Sequence, residues 1–344
     1  MLLSPTVLLA ESTNYRITGR VVWEGESCVL AFPGITLESR LTGTERIDLE
    51  AVLESGEEAY FNIWVNGHQI EPLHVIHGRE SYNLVSQLNP QKSYSLRLVK
   101  RTEAWQGKVR IRKLTGDPAI EWLKPGKLPK RKLMTIGDSI TCGAAAEVSE
   151  PFTREGHHTS NAEAAYGYVL SKLLNAQLHQ VSYGGKGLIR DWQGLESEVT
   201  APQFFERIDP DDANSVWDHT QYIPEAIIVC LGQNDFNQGI IKEQVYVRTY
   251  VFFCKRILAV YPDAKILLVS SPMHGEQDPK RFALQAYMKL VQESLEGAGI
   301  DQVRAFNSKE YSGTSLNAHP TSEQHKQLAH DLLPVIRDWL GWQD

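Results

Sequence analysis

A serine with the setting of a nucleophile lies in the tetrapeptide Gly137-Asp138-Ser139-Ile140, which directly follows a short apolar run containing Leu133 and Ile136. A strand that ends in a glycine-rich turn and leads into a helix presents a serine hydroxyl at the tip of a sheet. The turn also supplies backbone N–H groups for a developing oxyanion. The same pattern is typical of a helix N-terminus capped by Asp138 or Ser139. The tetrapeptide alone therefore leaves two interpretations open, a nucleophile and a helix cap.

Three further polar segments could complete the chemistry. Tyr183-Gly184-Gly185-Lys186-Gly187 and Gly232-Gln233-Asn234-Asp235 each follow an apolar run. Ala318-His319-Pro320 lies just before the last helical stretch, where Thr321 and Gln324 form a predicted capping box. Ester cleavage needs a nucleophile, a base that takes its proton, and donors aimed at the oxyanion. These residue types supply all three.

The predicted roles follow from the chemistry of each group. Ser139 is the nucleophile and His319 the base, which the fold must bring together across 319 − 139 = 180 positions. The backbone N–H groups of Ser139 and Gly185 and the side-chain amide of Asn234 form the oxyanion hole. Gly185 has no Cβ, so the backbone can approach a substrate closely there.

Other titratable residues near these segments are given structural roles. Asp138 and Asp235 are interpreted as organisers of loops and helix caps and not as proton carriers. His325 and His330 lie inside the predicted last helix, so we expect them on a solvated face or in packing contacts.

The elements that position these residues fall into two halves of different periodicity. From about Tyr15 to Lys113 short alternating strands predominate, such as residues 47–54 and 60–65, and the hairpin signal Asn66-Gly67 follows the second of these. An antiparallel jelly-roll sandwich fits this half best, and we predict an all-β jelly-roll domain over residues 1–122.

The second half predicts a different architecture. Residues 123–131 combine proline, glycine and lysine and are predicted to be a linker. Beyond it, short apolar strands alternate with helical stretches, which predicts a parallel sheet with helices on both faces over residues 132–344. The fold expected is a flavodoxin-like three-layer αβα domain, in which catalytic groups collect at the carboxyl ends of strands. Predicted strands are 133–136, 178–183, 226–231, 266–270 and 303–306; predicted helices are 162–174, 242–260, 280–295 and 322–340.

Composition limits the classes of partner. The 344 residues carry a formal net charge of −7, which disfavours nucleic acid because phosphate contacts need basic clusters. The four cysteines are far apart, without metal-binding spacing, and Cys230 is interpreted as a small buried hydrophobe. No apolar run is long enough to span a membrane. The apolar N-terminus lacks a positive segment, so we expect a cytoplasmic protein as the sequence stands, or a secreted one if that end is trimmed.

In order along the chain, these segments resemble the four blocks of the SGNH/GDSL hydrolase superfamily. A closer resemblance, to carbohydrate esterase family 2, comes from residues 137–143, from Gly185-Lys186-Gly187-Leu188-Ile189-Arg190, and from Trp217-Asp218 leading to Leu231-Gly232-Gln233-Asn234-Asp235-Phe236. That family is similar in pairing an N-terminal jelly roll with an SGNH hydrolase domain.

The resemblance implies an acetyl xylan esterase-like enzyme. Such an enzyme removes O-acetyl groups from acetylated plant polysaccharides or oligosaccharides, such as xylan and glucomannan, through an acetyl-enzyme on Ser139. It needs no metal or cofactor and no obligate protein partner. These properties are expectations that the family resemblance carries to this chain.

One departure from the family pattern concerns the acid that orients the histidine. The superfamily places an acid three residues before it, where this chain has Leu316. Carbohydrate esterase family 2 resembles a variant with Asp two residues before it, where this chain has Asn317. We therefore predict a Ser–His dyad in which Asn317 or a main-chain oxygen orients His319. A remote acid, Asp191 or Asp218, is the further alternative.

Aromatic residues are frequent between positions 191 and 225, and either Trp192 or Trp217 is predicted to line the substrate cleft, where an indole face would stack on a sugar ring. Packing of this segment onto the domain is the alternative. Two other functions stay open, a lipase- or thioesterase-like acyl hydrolase and a carbohydrate-binding protein that uses the jelly roll or an aromatic cleft. The set Ser139, Asn234 and His319 favours an enzyme.

Overall fold

The computed structural model describes residues 6–8, 14–148, 156–196, 199–314 and 317–342. The chain divides into two units between Leu128 and Pro129. Residues 124–130 carry no helix or strand. The linker predicted at 123–131 overlaps this segment, and its function as a linker between domains stays a prediction.

The N-terminal unit is all-β, which confirms the predicted class. Its described strands are β1 Thr6–Leu8, β2 Tyr15–Thr18, β3 Val21–Glu24, β4 Ser27–Leu30, β5 Thr36–Thr42, β6 Ile47–Gly56, β7 Glu58–Val65, β8 His68–Ile76, β9 Ser81–Val85, β10 Tyr94–Lys100, β11 Gly107–Gly116 and β12 Glu121–Leu123. They form two antiparallel sheets, in the orders β3-β4-β11-β6-β9 and β12-β5-β10-β7-β8, with β1 beside β11 and β2 beside β5.

Local sequence explains two features of these sheets. In β6, Ile47, Leu49 and Ala51 are fully buried while the residues between them are not, as period-two patterning requires. Between β7 and β8, Asn66 and Gly67 both have positive φ, 51° and 78°. That conformation suits a tight two-residue hairpin turn.

The C-terminal unit contains a parallel sheet flanked by helices. Its described elements are β13 Arg131–Gly137, α1 Ser139–Cys142, α2 Tyr166–Leu173, β14 Ala176–Ser182, α3 Ala201–Phe205, β15 Ala226–Cys230, α4 Gln233–Asn237, α5 Glu243–Val260, β16 Lys265–Val269, α6 Pro279–Glu296, β17 Val303–Phe306 and α7 Ser322–Leu340. The strand order is β14-β13-β15-β16-β17, and each neighbouring pair is parallel. This is the flavodoxin-like order, so the predicted fold class is confirmed. None of the described helices is long and apolar enough to cross a membrane.

Burial follows from the position of each element in the layers. Every residue of β15, including Cys230, is buried because helices cover both faces of the sheet. The amphipathic helix α7 packs Leu328 and Leu332 into the core beside Leu170 of α2. Helix α3 was not predicted, because it is only five residues long and has no helical periodicity. A capping box between Thr200 and Gln203 begins it.

An ionic cluster ties the end of α3 to α5. The Glu206 carboxylate accepts hydrogen bonds from Arg256 Nε and Nη2 at 2.7 and 2.8 Å and from His219 Nε2 at 2.9 Å. His219 Nδ1 lies 2.8 Å from the Tyr261 hydroxyl. Burial alone would raise the pKa of Glu206, but the hydrogen bonds from His219 and Arg256 outweigh it and lower the pKa to about 2.

This cluster predicts a pH-dependent stability. Because the folded-state pKa of Glu206 lies below its unfolded value of roughly 4.3, the ionised carboxylate stabilises the fold above that value, and the stabilisation disappears as the pH falls toward about 2. Glu206→Gln should lower the free energy of unfolding at neutral pH by about 2 kcal/mol. The difference from wild type should shrink in chemical denaturation measured between roughly pH 4 and pH 2. A difference that is constant across this range would contradict the assignment.

Candidate active site

The end of β13 places Ser139 at the carboxyl edge of the sheet. Gly137, its last residue, pairs with Ser182 of β14 and Cys230 of β15. Asp138 then caps α1, its Oδ1 accepting a hydrogen bond from Ile140 N at 3.0 Å. Ser139 is therefore the first residue of a helix, so its N–H lies at the positive end of that helix.

The nucleophile and the base predicted from sequence lie in hydrogen-bond contact. His319 Nε2 is 2.8 Å from Ser139 Oγ, and His319 Nδ1 is 2.8 Å from Asn317 Oδ1. The backbone N–H of His319 donates to the same Asn317 oxygen at 2.8 Å. Since an N–H must donate, the atom that faces it is the amide oxygen, and Nδ1 must carry the proton. Nε2 is thus left as the acceptor for the serine hydroxyl, which is the tautomer a general base needs.

A tight turn before α7 holds His319 in place. Thr321 and Gln324 form the predicted capping box, with bonds of 2.9 and 3.3 Å between each side chain and the other's backbone N–H. Gly313 has φ +73°, and a Cβ there would lie 2.3 Å from the carbonyl oxygens of Asn317 and His319. The turn therefore requires glycine at this position.

The remote acids are engaged elsewhere. Asp191 accepts hydrogen bonds from the backbone N–H groups of Gln193 and Leu195, both at 3.0 Å. Asp218 caps a short 3-10 helix through Thr220. Leu316 lies outside the described residues. Within the residues that the structure describes, Asn317 is the group that orients the histidine ring. Burial lowers the pKa of His319 to about 4, so the base is neutral over most of the pH range.

Two predicted oxyanion donors are backbone groups. Gly185 has φ +76°, and a Cβ there would lie 2.9 Å from Cδ1 of Trp192, so this position also requires glycine. In the part of the chain that the structure describes, neither Ser139 N–H nor Gly185 N–H has a hydrogen-bond acceptor within the protein. Both N–H groups can therefore donate to a ligand.

The third predicted donor, Asn234, is engaged inside the protein. Its Nδ2 donates to the carbonyl oxygen of Lys186 at 2.9 Å and to Asp138 Oδ2 at 3.2 Å. Because an amide nitrogen has two protons, an oxyanion would have to share one of them with these acceptors. Sequence reasoning identified Asn234 but missed this second function, which depends on the position of a carbonyl group 48 residues away.

The two candidate cleft aromatics have different surroundings. Trp192 is 52% exposed and lies against Gly185, whose carbonyl accepts its backbone N–H at 2.9 Å. Trp217 is 6% exposed and packs against the edge of the His179 ring. Which of the two lines a cleft stays a prediction, with the exposed ring on Trp192 and the buried ring on Trp217. Its backbone N–H donates to the Glu206 carbonyl at 2.7 Å, and this bond holds the residue in the interior.

The two histidines of α7 are packing and surface residues, as predicted. His325 is fully buried, and its Nδ1 accepts a hydrogen bond from Tyr166 N at 3.2 Å. Burial lowers the pKa of His325 to about 3, so it stays neutral and can keep this bond. His330 is exposed.

The low pKa of His319 predicts the pH dependence of ester hydrolysis. The base must be neutral to act, so kcat/KM for p-nitrophenyl acetate should fall only as the pH drops through about 4. Asn317→Asp places a negative charge at Nδ1, which raises the pKa of the imidazole and should move this acid limb upward by about one unit or more. Asn317→Ala removes orientation but no charge, so kcat should fall by about tenfold or less.

The wild type and the two Asn317 variants would be compared across the full pH range. If kcat/KM of wild type instead fell at the ordinary histidine pKa of roughly 6.5, the conclusion that burial lowers the pKa of His319 would be wrong. A loss of about three powers of ten in Asn317→Ala would show that Asn317 does more than orient the ring.

Comparison with known proteins places the chain in a family. The family described as "Carbohydrate esterase 2 N-terminal" matches residues 17–125, and the "GDSL-like Lipase/Acylhydrolase family" matches residues 135–327. Two proteins of Cellvibrio japonicus, both described as acetylxylan esterase / glucomannan deacetylase, are similar along their length. One is 28% identical over 98% of this chain and 92% of its own; the other is 26% identical over 99% and 96%.

Solved structures are similar as well. The structure of a family two carbohydrate esterase from Cellvibrio japonicus has a TM-score of 0.89 at 28% identity and covers 98% of both chains. A family two carbohydrate esterase from Clostridium thermocellum in complex with cellohexaose has a TM-score of 0.88 over 96% of this chain and 100% of that chain; its 24% identity supports the fold alone. These findings confirm the resemblance to carbohydrate esterase family 2. The chain belongs to the GDSL-like lipase/acylhydrolase family, carries a carbohydrate esterase 2 N-terminal domain and is a carboxylic ester hydrolase.

Proposed function

We propose that this protein is a serine esterase that removes O-acetyl groups from acetylated plant polysaccharides or their oligosaccharides, with xylan and glucomannan as substrates. The observation that carries the proposal is the 2.8 Å contact between Ser139 Oγ and His319 Nε2, in a tautomer fit for base catalysis. Two relatives described as acetylxylan esterase / glucomannan deacetylase support the substrate class.

Acylation of Ser139 requires no rearrangement of Ser139 and His319, which are already in hydrogen-bond contact. Ser139 Oγ attacks the acetyl carbonyl carbon while its proton passes to His319 Nε2. The carbonyl oxygen gains negative charge, which the N–H groups of Ser139 and Gly185 stabilise, with Asn234 Nδ2 sharing a proton with it. The intermediate then breaks its bond to the sugar oxygen, which leaves as the alcohol after receiving the proton from Nε2. An acetyl group remains on Ser139 as an ester. A water molecule then attacks this ester while Nε2 takes its proton, and Nε2 returns a proton to Ser139 Oγ as acetate leaves.

The environment of His319 sets the balance between the two proton transfers. The group at Nδ1 is a neutral amide and not a carboxylate, and burial lowers the pKa of His319 to about 4. The histidine is therefore a weak base but a strong acid. A strong acid suits the second transfer, because the leaving group is a sugar alkoxide that must be protonated as it departs.

Trp192 supplies a surface for the sugar. Its exposed indole lies beside Gly185, and Asn237 Nδ2 donates to its carbonyl oxygen at 2.8 Å. The tryptophan backbone is thus held by bonds at both its N–H and its carbonyl. An indole face fixed next to an oxyanion donor can stack on the ring that carries the acetyl group.

The nucleophile is tested by acetate release from acetylated xylan. Ser139→Ala should reduce the rate by at least about three powers of ten, with a melting temperature close to that of wild type, since the hydroxyl lies at the start of α1 and contacts His319, not the hydrophobic core. Wild type should also hydrolyse acetyl esters in preference to longer acyl esters. A preference for long acyl chains would favour the lipase-like alternative. Binding of acetylated xylan without acetate release would favour the carbohydrate-binding alternative.

The sugar surface is tested by comparing a polymeric and a small substrate. Trp192→Ala should raise KM for acetylated xylan about tenfold, a loss of about 1.4 kcal/mol, while kcat/KM for p-nitrophenyl acetate stays within about threefold. Trp23, a tryptophan of β3 with 45% exposure, offers the matched control Trp23→Ala, for which no change in either substrate is expected. Equal losses on both substrates in Trp192→Ala would show that the indole supports Gly185 and does not bind sugar.

A further inference from the structure

The segment that contains Gly185 is hydrogen-bonded to one buried carboxylate, that of Asp235. We call residues 185–190 the oxyanion loop; they follow β14 and contain no regular helix or strand. Oδ2 of Asp235 accepts a hydrogen bond from Leu188 N at 2.8 Å. Oδ1 accepts from Ile189 N at 2.8 Å and from Arg190 N at 3.3 Å. Three successive N–H groups of the loop therefore converge on a single side chain.

Helix α4, which contains Asp235, and the turn after it make three more hydrogen bonds to the loop. Arg190 Nε donates to the carbonyl oxygen of Asp235 at 2.7 Å, and its Nη2 donates to Gly239 O at 2.7 Å. Asn234, which precedes Asp235, donates to Lys186 O at 2.9 Å. The loop is thus bound at residues 186, 188, 189 and 190 by groups of α4 and the turn after it.

Space around the carboxylate is as restricted as its hydrogen bonding. Asp235 is fully buried. A Cβ on Gly187 would lie 2.4 Å from Asp235 Oδ2 and 2.5 Å from the carbonyl oxygen of Arg190. Burial raises the pKa of Asp235, and the three N–H bonds oppose that shift by stabilising the anion. Steric contacts and hydrogen bonds therefore restrict the carboxylate to one position, and the loop packs around it.

We propose that Asp235 is a positioning residue for ester hydrolysis: it fixes the oxyanion loop so that the Gly185 N–H points at the reacting carbonyl oxygen. This proposal rests on the proposed function, in which that N–H stabilises the oxyanion. An oxyanion donor must lie within about 2.7–3.1 Å of its target to be effective. Because Gly185 is three residues from the first bond to Asp235, a shift of the loop changes the direction of this N–H. Asp235 itself contacts no substrate atom and acts through the loop.

Substitutions at Asp235 should lower kcat much more than they change KM. Asp235→Ala leaves three N–H groups without an acceptor, so kcat for p-nitrophenyl acetate should fall about a hundredfold with KM within about threefold. Asp235→Asn keeps the shape and two of the three acceptor contacts, so its loss should be intermediate, about tenfold. In hydrogen exchange, the amides of residues 188–190 should exchange faster in both variants.

Two matched comparisons separate positioning from general loss of stability. Glu206→Gln removes another carboxylate that accepts several hydrogen bonds in the same unit, and its kcat should stay within about twofold of wild type. Gly187→Ala forces a methyl group against Asp235 and should lower kcat without changing any polar group. Gly126→Ala is its control, because a Cβ there meets nothing within 4 Å, and it should leave kcat unchanged.

Several results would overturn the proposal. A kcat within about threefold of wild type in Asp235→Asn and Gly187→Ala would do so, and these two variants decide the question if Asp235→Ala does not fold. If kcat fell as much in Glu206→Gln as in the Asp235 variants, the lower kcat would be explained by loss of stability and not by loss of positioning. Lower kcat with unchanged exchange at residues 188–190 would show that Asp235 acts by another route. All of these measurements use p-nitrophenyl acetate, so failure of wild type to deacetylate xylan would reject the proposed substrate and leave this test intact.

Discussion

The register of three parallel strands is the constraint on which the site depends. Gly137 at the end of β13 lies between Ser182 of β14 and Cys230 of β15, so the three turns that follow begin at the same level of the sheet. These neighbouring turns bring together Ser139, Gly185 and Asn234, which are about fifty residues apart in the chain. The strand between the other two, β13, lies where the strand order reverses. His319 does not follow one of these three strands; it lies on the turn before α7, which the capping box of that helix fixes.

Two carboxylates of the described residues near the site, Asp138 and Asp235, accept hydrogen bonds from backbone and amide groups. Asp138 caps α1 and accepts from Asn234, and Asp235 accepts from the oxyanion loop. The histidine ring instead faces a neutral amide, that of Asn317. A buried carboxylate would stabilise the imidazolium but would also have to be desolvated itself. An uncharged orienter avoids that cost but brings no charge to oppose burial, which lowers the pKa of His319.

Local patterns were enough to predict the fold class, because short apolar strands and capped amphipathic helices carry their signal in adjacent residues. The last strand and α7 have the predicted bounds, 303–306 and 322–340. Contacts between distant segments could not be predicted in the same way. Whether Trp217 is buried, or which atoms receive the amide protons of Asn234, depends on where the chain returns many residues later. For the same reason, the sequence alone could not decide which group orients His319.

The glycines of the site explain why its segments were nonetheless recognisable. At Gly137, Gly185 and Gly187 a Cβ would lie within 3 Å of Thr141, Trp192 and Asp235 respectively. Each glycine thus leaves room for one particular neighbour: a threonine of α1, the indole that contacts Gly185, or the carboxylate bonded to the oxyanion loop. Two of the three predicted oxyanion donors are backbone N–H groups. At the three glycine positions the site therefore requires a residue without a side chain.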